Sequence, residues 1–216
     1  MKITILTDNK KSWAVPVAKK LRTLLSSRHN VRHVYKKNNL TTGDIAIFLS
    51  CEQLIPSHLL AKNKNNLVVH ESALPKGKGW SPLTWQILEG KNRIPVTLFE
   101  AVEKVDAGNI YRQDFLEFSG HELLDEIHKK SAEKIIEMVL WFVASAKKIK
   151  GRRQTGKESF YPRRRPPDSE IDPRKSIVAL FNNFRVADNE RYPIFFKHRG
   201  KKYILKIYKD DTENDG

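Results

Sequence analysis

One histidine and one aspartate stand out by their surroundings. Residues 68–90 read VVHESALPKGKGWSPLTWQILEG, and residues 102–113 read VEKVDAGNIYRQ. In the first, a short apolar run ends in His70, and a loop bearing Gly77 and Gly79 leads into a helical pattern that stops at Gly90. In the second, Asp106 opens an Asp-Ala-Gly turn. Imidazole and carboxylate groups are the side chains that most often serve as general acid and base. Taken singly, His70 reads as a core histidine with a satisfied hydrogen bond, and Asp106 as a turn-forming aspartate. The loop Lys76-Gly77-Lys78-Gly79-Trp80-Ser81 adds two lysines before a helix start, a combination that attracts phosphate. It is no Walker motif, because the GxxxxGK[ST] spacing is absent, and its plainer reading is a flexible loop with solvated lysines. Cys51 is the only cysteine. It excludes an internal disulfide and a thiolate metal cluster, and it reads as a packed residue with no base beside it. No metal is expected.

The elements that must hold these residues alternate in type. Residues 2–7, 31–35, 44–49 and 66–70 read as strands, the last two as continuous apolar runs of a buried parallel sheet. Residues 13–25 carry helical spacing, with Ser12 as N-cap and Pro16 in the first turn. Residues 56–62 and 80–89 read as short helices, 95–102 and 109–113 as strands joined through the Asp106 turn, and 121–150 as a long amphipathic helix. This pattern predicts an α/β fold with an open, mostly parallel, Rossmann-like sheet and helices on both faces. Ligands of such sheets bind beyond the carboxyl ends of the strands. From residue 151 the texture turns polar, basic and proline-bearing. One short strand is expected around Phe160, a helix over 169–184, and a hairpin of 192–196 and 202–208 turning at 198–200. The division is therefore 1–150 as the main domain and 151–216 as a linker with a small helix-plus-hairpin subdomain. Tyr192, Tyr203 and Tyr208 are assigned to that subdomain's own packing.

The net charge of +15 favours anionic partners, or simply a basic solvated surface. The basic residues concentrate between Lys147 and Arg165, and the end from Asp210 is acidic and expected to fray. Arg163 to Arg165 could reach a diphosphate, although a charge run is more often a solvated linker. Trp80 either packs on its helix or stacks on a sugar or base. No run is long enough to span a membrane, and the N-terminus reads as a first strand rather than a signal peptide. With a single cysteine, a cytoplasmic location is expected. Nucleic acid ranks last among partners, because no recognised motif and no interleaving of basic and aromatic residues occurs.

The spacing from His70 through Leu74-Pro75, Gly79, Gly90 and Thr97 to Asp106-Ala107-Gly108 resembles the formyltransferases that use 10-formyltetrahydrofolate. These include glycinamide ribonucleotide transformylase, methionyl-tRNA formyltransferase and the sugar-nucleotide N-formyltransferases. The resemblance covers roughly residues 40 to 115. Tyr161 to Arg165, Asp168, Ile171-Asp172, Ile177, Asn182 to Arg185 and Pro193 are similar to the segment C-terminal to the catalytic domain in the sugar-nucleotide enzymes. Methionyl-tRNA formyltransferase continues into a tRNA-binding barrel that this sequence does not show, which weighs against a tRNA acceptor.

The resemblance implies an N-formyltransferase that attacks the formyl carbon on N10 of 10-formyltetrahydrofolate with the amine of a nucleotide-linked amino sugar, of dTDP- or UDP-4-amino-deoxysugar type, destined for surface polysaccharide. His70 would accept the amine's proton or polarise the formyl oxygen, and Asp106 would orient it. The folate pocket would be lined by Leu49, Ser50, Leu54, Ile55 and Pro56, with Val102 and Val105. The acceptor side would take Ser72, Lys76, Gly77, Lys78, Gly79, Trp80 and Arg163. A homodimer is implied by the sugar-modifying relatives. One departure stands out: the family's asparagine two residues before the histidine is Val68 here. Losing an oxyanion donor typically costs about 10²–10³ in rate. Asn66 shares that face but lies about 13 Å along the strand. Ser72, Gln53, a backbone N–H or a bound water remain as substitutes. The departure keeps two alternatives open: a formyltetrahydrofolate hydrolase on the same frame, and an altered relative that binds nucleic acid through its basic surface.

Overall fold

A computed structural model describes residues 1–146 and 148–210. The acidic end from residue 211, and Lys147 of the basic run, lie outside the described residues. In chain order the elements are β1 (Lys2–Leu6), α1 (Ala14–Ser26), β2 (Asn30–Val34), β3 (Gly43–Phe48), α2 (Ser57–Leu60), β4 (Asn63–His70), β5 (Lys78–Gly79), α3 (Pro82–Leu88), β6 (Arg93–Glu100), β7 (Ile110–Glu117), α4 (Leu124–Ser145), β8 (Phe160–Tyr161), α5 (Ile177–Arg185), β9 (Ile194–His198) and β10 (Lys201–Leu205).

Six strands form one sheet in the order β2-β1-β3-β4-β6-β7. The four on one side run parallel, and β6 and β7 run antiparallel. Alternation along the parallel strands divides the core between two faces. Ile3, Ile5, Ile45, Ile47 and Leu67 join a cluster with Leu21 of α1 and Val139 and Phe142 of α4. Leu6, Ala46 and Phe48 join Leu59 and Leu60 of α2 on the other face. Both faces are thus covered, as an apolar parallel sheet requires.

Ser12 takes part at the start of α1, its Oγ accepting the Ala14 N–H at 3.2 Å. α4 is shorter than its amphipathic pattern. It begins at Leu124, where Glu126 reaches back to the Leu123 N–H at 2.9 Å. The helix expected over 169–184 is corrected to α5 alone. Pro166–Ser169 makes a single 3-10 turn, and the Asp172-Pro173 step intervenes before Ser176 caps α5 through the Ala179 N–H. A residue preceding proline is disfavoured in the helical region, so the helical pattern cannot run through. Ile171, Leu180, Phe184, Ala187 and Ile194 form a separate small cluster beneath the β9–β10 hairpin.

Buried polar contacts fasten this C-terminal part to the sheet. Arg185 is 1% exposed and donates to Asn92 Oδ1 at 2.8 Å, with Glu122 Oε2 at 3.4 Å. Burial alone would raise the Glu122 pKa. Lys130 and the N–H groups of Ser119 and Gly120 outweigh it and hold the carboxyl down to about 2.

Candidate active site

His70 is the last residue of β4, paired with Thr97 of β6, and is 7% exposed. Its Nε2 lies 2.9 Å from the Gly77 carbonyl oxygen. A carbonyl only accepts, so Nε2 carries the hydrogen and donates. In the neutral ring the lone pair is therefore on Nδ1.

Asp106 arrives by an indirect route. β6 is antiparallel to β4, so its carboxyl end points away from His70. Ala101 is hydrogen-bonded to Asn66 there, and the chain must return before β7 begins. At the tip of this excursion Asp106 Oδ2 accepts the Gly79 N–H at 2.9 Å and stands 3.7 Å from His70 Nε2. The general rule about strand ends would have put Asp106 at the wrong edge. Asp106 has φ 47, a left-handed conformation unusual for a residue with a side chain. Ser50 and Ser81, with φ 50 and 54, share it, and all three line one cavity. Clustered backbone strain of this kind is characteristic of functional sites.

The cavity measures about 390 Å³, within the range of small-molecule sites. Leu49, Ser50, Leu54, Ile55, Val102 and Val105 line it, together with His70, Asp106, Gly79, Trp80, Arg163 and Val68. Several expectations are corrected by placement. Pro56 lies outside the lining. Ser72 is 1% exposed, also outside it, and its Oγ has no hydrogen-bond partner among the described residues. It therefore cannot present the donor missing at Val68. Gln53 and Ser50 do line the cavity. Asn66 is committed elsewhere, its amide donating to Leu60 O and Glu100 Oε1.

The loop lysines do not form a phosphate cradle. Lys78 is 1% exposed and ion-paired with Glu158 at 2.6 Å, and Lys76 is exposed away from the lining. Gly77 contributes through its backbone, its carbonyl accepting from His70 and its N–H donating to Ser159 Oγ. Arg163 reaches the cavity edge, paired there with Glu52 at 2.6 Å.

Some lining residues were not read as functional from the sequence. Trp13 and His128 stack at 4.5 Å with 4° between their planes. Burial, against the pull of Asp188 and Asp125, pushes His128 down to about 4, so it is neutral at pH 7. Neither had a local signal, because each sits on an ordinary amphipathic helix pattern. Tyr192, assigned to its own subdomain, lines the cavity beside Arg164 and Arg191. The Arg163-Arg164 pair was the one signal pointing there. Cys51 also lines it, but burial and the Asp8 charge push its thiol up to about 12. Among the described residues no group of His, Cys, Asp and Glu could hold a metal ion, and no helix is long and apolar enough to cross a membrane.

Known proteins share this outline. The sequence profile of the family described as formyl transferase matches residues 4–141. Among curated proteins, the methionyl-tRNA formyltransferase of Lactococcus lactis is 26% identical over 185 residues, which are 81% of this chain and 57% of that protein. The chain thus spans somewhat over half the length of the curated relatives it matches. Among solved structures, HypX from Aquifex aeolicus in complex with tetrahydrofolic acid superposes with a TM-score of 0.79 at 20% identity, over 96% of this chain and 37% of that one. A 4-N formyltransferase from Francisella tularensis superposes with a TM-score of 0.76 at 17% identity, over 97% of this chain and 98% of its own. At these identities the structural matches speak for the fold.

Proposed function

The chain belongs to the formyl transferase family, and we propose that it moves the formyl group of 10-formyltetrahydrofolate to the amine of a nucleotide-linked amino sugar of dTDP- or UDP-4-amino-deoxysugar type. The observation that carries formyl transfer is the pair of His70 and Asp106 on the wall of a cavity that combines apolar and polar residues. Leu49, Leu54, Ile55, Val102 and Val105 suit a flat pterin ring. The folate-bound relative of the same fold supports that assignment. The donor supplies an activated one-carbon group; the chain's residues do the rest. Nδ1 of His70 is the atom that can accept the amine's proton. The charge this places on the ring faces the Gly77 carbonyl and the Asp106 carboxylate. Arg163, Arg191 and Tyr192 at the cavity edge suit a sugar diphosphate and support a sugar acceptor, as does the Francisella enzyme. The curated relatives make methionyl-tRNA the competing acceptor. We assign the cavity-lining residues of the linker and small C-terminal subdomain, Arg163, Arg191 and Tyr192, to acceptor binding and place the reaction in the cytoplasm.

The test measures tetrahydrofolate release from 10-formyltetrahydrofolate in the presence of dTDP- and UDP-amino sugars, of methionyl-tRNA, or of no acceptor. Release that requires a sugar and fails in His70→Asn supports the proposal. Release only with methionyl-tRNA moves the acceptor to tRNA, release without any acceptor indicates a hydrolase, and no release from the folded protein removes formyl transfer altogether.

A further inference from the structure

The segment after α4 reads as a linker, yet it holds the site together. Arg152 exchanges backbone hydrogen bonds with Ile110, each 2.8 Å, on the edge of β7. β8 pairs with β5, and Ser159 bonds to the loop that carries Gly77. Between these two attachments lies Gln154. Its Nε2 donates to the carbonyl oxygens of Asp106 and Gly108, both at 2.8 Å. Both partners can only accept, which fixes the amide's orientation. Its Oε1 is buried with no hydrogen-bond partner among the described residues. The site therefore uses the NH₂ end of this amide and leaves the other end unmatched.

These two bonds bracket the turn in which Asp106 is held at φ 47. Gly108 is pressed against the end of β6, where a Cβ would collide with the Glu100 carbonyl oxygen. A left-handed aspartate persists only where its surroundings over-determine it. Among the described residues, the Asp106 carboxylate accepts from Gly79 and its backbone carbonyl accepts from Gln154.

We propose that Gln154 is the positioning residue of the site: its two-carbonyl clamp sets the Asp106 turn so that the carboxylate stands against His70 and the Gly79 N–H. Its effect on rate rests on the formyl-transfer reading; its effect on geometry does not. The Gly79 amide reports the carboxylate directly, because its N–H donates to Asp106 Oδ2. We would compare wild type, Gln154→Met, Gln154→Asn and Asp106→Asn by the amide proton shift of Gly79 and by steady-state kinetics with 10-formyltetrahydrofolate. Methionine keeps the bulk and loses the donor; asparagine keeps the donor and falls one methylene short. The Gly79 resonance of either folded variant should move toward its position in Asp106→Asn. The kcat should drop about 10- to 100-fold, with KM for the donor within about twofold, as a small misplacement of a catalytic group predicts. A Gly79 resonance unmoved in a folded variant overturns the proposal, as does a loss confined to KM. If wild type turns over no acceptor, the formyl-transfer reading fails and the Gly79 shift still decides the role of Gln154.

Discussion

At the scale of single residues, tautomer and burial settle what can react. Because the Nε2 hydrogen of His70 is committed to Gly77, the proposed proton transfer would use Nδ1. His70→Asn removes that atom, and steady-state kinetics should show kcat falling by about 10²–10⁴. Asp106→Asn should fall by less, since the Gly77 bond still orients the ring; equal losses would mean that the carboxylate has a chemical role of its own. Cys51 gives a contrasting case. Its thiol is pushed up to about 12, so at pH 8 only about 10⁻⁴ of it is thiolate, the reactive form. Iodoacetamide at pH 8 should leave Cys51 unmodified by mass spectrometry while the protein is folded. Rapid labelling would show that the cavity wall opens. His70 and Asp106 were legible in the sequence because their neighbours form a motif. Trp13 and His128 were not, because their stack joins the residue before α1 to one on α4, which only tertiary packing brings together.

At the scale of elements, the parallel half of the sheet was legible for a physical reason. Strands buried on both faces are continuous apolar runs, and β3 and the end of β4 read as such. The direction of β6 was not legible, because burial on both faces looks the same whichever way a strand runs. That reversal is why Asp106 needs a long return and a clamp from a distant segment. The β5–β8 pairing was equally hidden: two residues on each side carry no period, although the strand at Phe160 was anticipated. Gly79 marks the junction. It has φ 96, and a Cβ there would run into the Tyr161 carbonyl oxygen. Gly79→Ala should therefore lose about 2 kcal/mol of stability. For a chain of this size that corresponds to a Tm lower by about 4–8 °C. Activity should fall further than that loss alone explains, because the Gly79 N–H also holds Asp106. A thermal melt and kcat measured on the same preparation separate the two effects.

At the scale of the whole molecule, the C-terminal part docks in part through a buried charge pair. Glu122 and Arg185 are 2% and 1% exposed, and Arg185 belongs to the helix that leads into Asp188, Arg191 and Tyr192 of the cavity lining. The Glu122 carboxyl is held at about 2 in the fold, below its ordinary 4.5. A depressed carboxyl stabilises the fold fully above its unfolded pKa and loses that contribution as pH falls through the folded one. Stability contributed by Glu122 should thus be intact at pH 5 and above, and drain away between about 4.5 and about 2. Glu122→Gln leaves the Arg185 guanidinium buried without its counter-charge, at a cost of about 3 kcal/mol near neutral pH. The same variant should flatten the dependence of urea stability on pH below 4.5. Both effects act through the same carboxylate, the first through Arg185 and the second through Lys130 and the Ser119 and Gly120 N–H groups, so both should appear in the one variant. A variant that loses stability at pH 7 while keeping the wild-type slope in acid would assign the acid sensitivity to other carboxylates. The pair would then hold the C-terminal part, and the cavity wall it carries, without setting its response to acid.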